Sequence, residues 1–371
     1  MLERYLRGQA EDDLGSKMVF VGGARQVGKT TLAKSLLGKE RAGYLNWDVD
    51  EHRERILKGE LPNTTLWALD EIHKYRSWRN YLKGLYDGRR PGQRVLVTGS
   101  GRLDLYRFGG DSLQGRYHFL RLHPLSAAEL RLRTEKDFHD LLELGGFPEP
   151  FLGGSEIEAK RWSREYRSRL VRDDIASLEQ VQDLGKLELL IMRLPELVGS
   201  PLSINGLRED LQVSHKALSH WLLVLERLYA IVRLPPFGAA KIRAVKKEQK
   251  HYHYDWTLVK DPGLRFENLV AMHLLKWAHF QEDAFGRDME LRYFRDVDGR
   301  EVDFVVMEDG RPLHLVECKW DDAPPAPGLR YLMARVTKVQ AWQISAAGKK
   351  DYITPDGIRV CPALRFLEGL V

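Results

Sequence analysis

A chain of 371 residues, 43% hydrophobic and 30% charged, is too long for one ordinary core and predicts two or three folded domains. No apolar stretch approaches the roughly 18 residues of a helical span, the charged start Met1-Leu2-Glu3-Arg4-Tyr5 lacks a signal-peptide core, and two cysteines, Cys318 and Cys361, cannot alone make a disulfide framework or a zinc site, so a cytoplasmic protein without a membrane partner is expected. The net charge of +5 and isoelectric point near 9.0 permit a nucleic-acid partner without requiring one.

Met18-Val19-Phe20-Val21 reads as a buried strand and Thr31-Leu32-Ala33-Lys34-Ser35-Leu36-Leu37 as a helix. Between them, Gly23-Ala24-Arg25-Gln26-Val27-Gly28-Lys29-Thr30 matches G-x-x-x-x-G-K-[ST] in full. Strand, glycine loop and helix in that order let backbone N–H groups turn inward around phosphate oxygens, at the positive end of the helix. Gly23, Ala24, Arg25, Gln26, Val27, Gly28, Lys29, Thr30 and Thr31 are therefore the predicted nucleotide-binding residues. Lys29 would reach the β- and γ-phosphates of ATP and Thr30 would ligate Mg²⁺.

The run Thr64-Thr65-Leu66-Trp67-Ala68-Leu69-Asp70-Glu71 is a strand ending in two carboxylates, at the carboxyl edge where open α/β sheets place ligands. Asp70 would hold Mg²⁺ and Glu71 would polarise the attacking water. Arg94-Val95-Leu96-Val97-Thr98 is a further strand, ending in Gly99-Ser100-Gly101. Thr98 or Ser100 would sense the γ-phosphate there; an ordinary strand-to-loop turn is the alternative. Arg116 is a candidate arginine finger offered to a neighbouring copy, which would require self-association; a plain surface arginine is the alternative.

Gly153-Gly154-Ser155, Leu234-Pro235-Pro236-Phe237-Gly238 and Ala323-Pro324-Pro325-Ala326-Pro327-Gly328 are candidate linkers. They suggest an ATPase domain with a helical lid over 1–155, a helical linker and winged helix over 156–238, and a third domain over 239–371. In the middle segment a short helix from Gly206 to Leu211, the turn Gln212-Val213-Ser214 and a longer helix from His215 precede the strand Ile231-Val232-Arg233-Leu234. Ser214 is a good N-cap, and Leu218, Leu222, Leu225 and Leu228 form one apolar stripe. The second helix would offer His215, Lys216, Ser219 and His220 to DNA; a protein–protein connector is the alternative.

The last third carries a second constellation. Glu301-Val302-Asp303-Phe304-Val305-Val306-Met307 and Leu313-His314-Leu315-Val316-Glu317-Cys318-Lys319 read as two strands of a hairpin. Glu317 and Lys319 share a strand face, Asp303 lies on the neighbouring strand, and Glu267 sits near the start of a helix. Glu267, Asp303, Glu317 and Lys319 resemble the set of PD-(D/E)xK nucleases, in which carboxylates hold Mg²⁺; Asp303 and Glu317 would be the metal ligands. Charged decoration of an edge strand is the alternative.

Five blocks carry a resemblance over nearly the whole chain: Gly23 to Leu32, Leu69-Asp70-Glu71-Ile72, Val97-Thr98-Gly99-Ser100, Leu122-His123-Pro124-Leu125-Ser126 and Gly145-Gly146-Phe147-Pro148-Glu149. In this order they resemble the prokaryotic AAA-like (AAA_14) P-loop ATPases that carry a C-terminal DUF4143 domain. The resemblance implies an ATP-binding, ATP-hydrolysing protein with a nuclease-like C-terminal domain; joined to the residue readings above, the expected fold is α/β, a P-loop parallel sheet with helical lid, a winged-helix middle and an α/β PD-(D/E)xK nuclease-like C-terminal domain. Three functions are expected from this set: an ATPase acting on or near DNA, an ATP-gated Mg²⁺-dependent DNA nuclease, or a nucleotide-dependent adaptor with negligible turnover.

Overall fold

The computed structural model describes residues 2–99, 103, 113–170, 183–238 and 248–371. They form two compact units, Met1–Pro124 and Leu125–Val371.

The first unit is built on five parallel strands: β1 Met18–Gly23, β2 Tyr44–Asn46, β3 Leu66–Asp70, β4 Arg94–Thr98 and β5 Tyr117–Leu122, in the order β2-β3-β4-β1-β5. Helices α1 Arg7–Asp13, α2 Lys29–Leu37, α3 Asp50–Lys58 and α4 Trp78–Asp87 accompany them. Strands covered on both faces need near-continuous apolar runs rather than alternation. Met18 to Gly23 is accordingly buried at all six positions, and Phe20, Leu69, Val95 and Val97 pack with Trp78 and Leu82. The strand order decides where the chemistry lies. Strand β4 runs between β1 and β3, with Thr98 in register with Val21 on one side and Asp70 on the other. Thr98 therefore stands beside both the glycine-loop strand and the strand that ends in carboxylates.

The second unit begins with helices α5 Ala127–Leu130, α6 Glu135–Leu144, α7 Pro148–Gly153 and α8 Glu156–Arg169. Phe147 packs its ring 4.8 Å from Trp162 and 5.1 Å from Tyr166, binding the start of α7 to α8. Three more helices follow, α9 Leu184–Arg193, α10 Ile204–Asp210 and α11 His215–Arg227, with a three-stranded antiparallel sheet of β6 Pro201–Leu202, β7 Ile231–Leu234 and β8 Gln249–His253 in the order β6-β8-β7. Ser203 caps α10 and Ser214 caps α11, each hydroxyl accepting a backbone N–H of the first turn. Leu218, Leu222, Leu225 and Leu228 are buried together with Leu187, Leu190, Leu207 and Trp221.

The remaining elements are the long helix α12 Pro262–Phe285 and a six-stranded mixed sheet, flanked by α13 Pro327–Met333 and α14 Ala363–Leu367. Its strands are β9 Met289–Arg295, β10 Glu301–Glu308, β11 Arg311–Lys319, β12 Gln340–Ser345, β13 Tyr352–Ile353 and β14 Arg359–Pro362, in the order β13-β14-β12-β11-β10-β9. Strands β10 and β11 form a hairpin through Asp309 and Gly310, at φ 50° and 75°, the paired left-handed turn that matches strand twist. Strands β11, β12 and β14 then run parallel. The Pro-rich segment 323–328, a candidate linker by composition, is packed here: the Gln343 amide donates to the Ala323 and Pro324 carbonyls and accepts from the Ala326 N–H.

Candidate nucleotide site and a second acidic centre

In the first unit, the glycine loop leaves the carboxyl end of β1 and runs into the amino end of α2. Gly23 has φ 142°, and a Cβ built on it would lie 2.3 Å from the Leu122 carbonyl oxygen, so only glycine fits. Gly28, at φ 101°, turns the chain into α2. Gln26 adopts φ 59° without being glycine, a conformation that costs energy and persists where surrounding structure imposes it. The buried Lys29 side chain folds back over the loop and donates to the carbonyls of Gly23 (3.0 Å) and Ala24 (2.6 Å). Ala24 and Val27 are buried beneath the loop. Arg4 donates to the Val27 carbonyl at 2.6 Å and also to His123, fastening the loop to the strand β5 end.

Asp70, 4% exposed, is the hub of the acid strand. Its Oδ2 accepts from Thr30 Oγ1 at 2.8 Å and from the Tyr44 hydroxyl at 2.6 Å, and its Oδ1 accepts from Thr98 Oγ1 at 2.6 Å. The Tyr44 phenol is pushed up by burial and by the neighbouring Asp70 charge. Glu71 follows at φ 58°, its backbone N–H donating to the Thr98 carbonyl at 2.9 Å. Its carboxylate lies 3.3 Å from Lys74 Nζ and 3.7 Å from His73 Nε2, and Lys74 is shared with Asp48 at 2.5 Å. Both positive-φ residues other than glycine between residues 20 and 75, Gln26 and Glu71, thus fall in the phosphate loop and beside the carboxylate hub.

Lys29, Thr30, Asp70, Glu71 and Thr98 meet at the carboxyl edge of the sheet. Hard oxygen donors from Thr30 and Asp70, beside a loop of inward backbone groups, are the donor chemistry that suits Mg²⁺ with a phosphate. Arg116 is elsewhere: it precedes β5 at the amino edge, where its guanidinium grips Asp87 at 2.9 and 3.1 Å. Ser100, the other candidate sensor, lies outside the described residues. Tyr44 carries no sequence signal of its own, because a three-residue strand has too little pattern to single it out.

In the second unit a different acidic centre forms. Lys250 of β8, 1% exposed, places its ammonium 3.2 Å from Glu267 Oε1, 2.5 Å from Glu301 Oε1 and 3.7 Å from Asp303 Oδ1. Glu267 also accepts from the Tyr252 hydroxyl at 2.6 Å. Asp303 Oδ2 accepts the Cys318 N–H at 2.8 Å, and Lys319 Nζ donates to Glu317 Oε1 at 2.7 Å. Burial, then repulsion from Asp303, pushes the Glu267 carboxyl up to about 7 and that of Glu317 up to about 8. Asp303 is raised by burial as well. Glu267, Asp303, Glu317 and Lys319 are thus within electrostatic reach of one another. Lys250, Tyr252 and Glu301 join them without having been marked by sequence, although Glu301 shares a strand face with Asp303. Among the described residues, no three His, Cys, Asp or Glu side chains are arranged to hold a metal ion.

On α11, His215 and Lys216 are exposed and Ser219 and His220 half-buried. Among the described residues, no helix is long and apolar enough to cross a membrane.

Comparison with known proteins divides the chain in three. Residues 15–131 match a family model described as an AAA domain, 135–261 a domain of unknown function (DUF8612) and 262–366 a domain of unknown function (DUF4143). The uncharacterized proteins Rv2008c of Mycobacterium tuberculosis and Mb2031c of Mycobacterium bovis are each 26% identical over 309 residues, covering 80% of this chain and 68% of theirs. The RuvB Holliday junction branch migration motor of Thermotoga maritima is 16% identical, with 62% of this chain and 89% of that one covered at a TM-score of 0.30, a value that establishes no shared overall fold. With its glycine loop on a parallel sheet, the chain carries an AAA-type P-loop domain at its amino end and a DUF4143 domain at its carboxyl end.

Proposed function

We propose that the first unit binds ATP with Mg²⁺ and hydrolyses it, and that the protein uses this cycle on or near DNA. The observation that carries the hydrolysis is the convergence of Lys29, Thr30, Asp70, Glu71 and Thr98 at one sheet edge. Lys29 exchanges the Gly23 and Ala24 carbonyls for phosphate oxygens. Thr30 and Asp70 would hold Mg²⁺, which neutralises charge on the phosphates when bound. Glu71 orients and polarises the attacking water, and Thr98 keeps the Asp70 carboxylate turned toward Thr30. Release of Glu71 from Lys74 is the step that would free its carboxylate for that work.

The DNA part of the proposal rests on the second unit. Three helices with a three-stranded antiparallel sheet are the parts of a winged helix, and His215, Lys216, Ser219 and His220 lie along the helix that would enter a groove. Self-association through Arg116 would require the Asp87 pairing to be given up for a phosphate on a neighbouring copy. Phosphate release from ATP, measured with and without duplex DNA, tests both parts. ATP turnover that Lys29→Ala leaves unchanged would overturn the first, and the absence of any DNA binding by the full chain would overturn the second.

A further inference from the structure

The Glu267–Asp303–Glu317 centre of the second unit has the carboxylates of a metal-dependent nuclease but a different cation. Lys250 enters it from β8, a strand of the three-stranded sheet, whose backbone is held on both sides by the Pro201–Leu202 and Ile231–Leu234 ladders. Its ammonium is therefore delivered by a fixed strand, not by a flexible tail. Glu267 comes from α12, Glu301 and Asp303 from β10, and the Tyr293 ring of β9 stands 5.7 Å from the ammonium.

We propose that the Lys250 ammonium is the resident cation of this centre, seated where a divalent ion would have to bind, so that the centre is a charge-balanced joint between the β8 sheet and the β10–β11 sheet and holds no catalytic metal.

The oxygen inventory supports this. One oxygen of Glu267 faces both Lys250 and the Tyr252 hydroxyl, and one of Glu301 faces Lys250. Asp303 spends one oxygen on the Cys318 amide and turns the other toward Lys250. Glu317 spends one on Lys319. Glu317 Oε2 is buried without a hydrogen bond, but Mg²⁺, held through one or two carboxylates and its own waters, would also need the Asp303 oxygen that already faces Lys250. A divalent ion brought to Asp303 would also meet the positive charge of Lys250 at close range. Three carboxylates face that ammonium, Glu267 and Glu301 within hydrogen-bonding distance and Asp303 just beyond it. Lys319, the lysine expected to serve a nuclease, is tied to Glu317 instead.

Mn²⁺ binding to the full chain, followed by electron paramagnetic resonance, tests the proposal. The background variant Asp70→Asn silences the nucleotide centre, so any stoichiometric ion counted belongs elsewhere. The Asp70→Asn chain is expected to bind none. Adding Lys250→Ala, or Lys250→Gln as a milder vacancy, is expected to create one Mn²⁺ site that Asp303→Asn removes again. Two results would overturn the proposal. One is a stoichiometric Mn²⁺ in the Asp70→Asn chain that disappears in Asp303→Asn, together with any DNA cleavage lost in the same variant. The other is a folded Lys250 variant, verified by circular dichroism, that still binds no Mn²⁺. Should neither Lys250 variant fold, the count on the Asp70→Asn chain decides alone.

Discussion

The two carboxylate centres of this protein use the same residue types in opposite ways. In the first unit a buried lysine donates to backbone carbonyls and a buried aspartate accepts from three hydroxyls. In the second a buried lysine is packed directly against three carboxylates. Neutral partners can be exchanged for an incoming anion or cation at small cost, because each bond given up is worth only about 1 kcal/mol net. Opposite charges buried against each other cannot: removing one strands the other, at a cost of roughly 3–5 kcal/mol. At Lys29 and Asp70, where a charged ligand must be received, the charges rest on dipoles; at Lys250 they are spent on each other.

The largest expected effect breaks the first centre. Lys29→Ala should lower ATP turnover by at least ~10²–10³-fold, the loss typical of one preorganised charge-stabilising donor. The same variant should weaken nucleotide affinity while leaving the unfolding of the second unit unchanged. Steady-state phosphate release and a titration with a fluorescent nucleotide measure the two. Next comes Glu71→Gln, which keeps the shape but cannot polarise water. Its turnover should fall roughly 100-fold, the scale of a lost general base, with affinity within a few-fold of the parent. A variant that hydrolyses at the parental rate would move water activation to another group.

The contrast also explains what could be read from residues alone. The phosphate loop is local: eight consecutive residues carry their own turn chemistry, so Gly23, Lys29 and Thr30 announce themselves. Asp70 and Thr98 were legible because buried parallel strands write near-continuous apolar runs and the chemistry sits at their ends. The β10–β11 hairpin was legible for the same reason, and it brought Asp303 toward Glu317 and Lys319. Lys250 was not. It ends the charge-rich run Lys246-Lys247-Glu248-Gln249-Lys250, which reads as a solvated surface, and its partners are distant in sequence and supplied by α12 and β10. Only the tertiary pairing turns this lysine inward. The Pro-rich segment 323–328 misled in the other direction: its composition marks a linker, and its carbonyls are in fact held by Gln343.

A pH titration sharpens the comparison from the side of the second centre. Glu267 and Glu317 are pushed up to about 7 and about 8 from an ordinary value of 4.5. The folded state then keeps protons that the unfolded chain has already released. Their stabilising contribution is fully present below about pH 4.5 and is lost as pH rises through 7 to 8. The second unit should therefore unfold at progressively lower denaturant as pH rises from about 4.5 to about 8, by on the order of a few kcal/mol in all. Glu317→Gln, neutral at every pH, should flatten that slope and be the more stable form at the alkaline end. Identical pH profiles for the two proteins would show that Glu317 is not the group being ionised.

The smallest effect separates the two centres by one matched substitution. Tyr44 donates to Asp70 Oδ2 and Tyr252 to Glu267 Oε1, both at 2.6 Å. The contacts are chemically alike, and the centres assign them different work. In the first unit Asp70 retains the Thr30 and Thr98 hydroxyls when Tyr44 is lost. Tyr44→Phe should therefore cost little stability and appear instead as a few-fold rise in the Mg²⁺ concentration needed for half-maximal turnover, about the 1 kcal/mol of one hydrogen bond. Tyr252 is fully buried, and its loss leaves Glu267 with Lys250 alone as a neighbour that the same oxygen already serves. At pH 8, above the Glu267 value, Tyr252→Phe should cost about 1.5–3 kcal/mol of unfolding free energy, the range for a hydrogen bond to a charged group, and leave the Mg²⁺ dependence of ATP turnover where it was. If the two variants exchanged these signatures, or both changed only stability, the division between a ligand-receiving centre and a fold-holding centre would not stand.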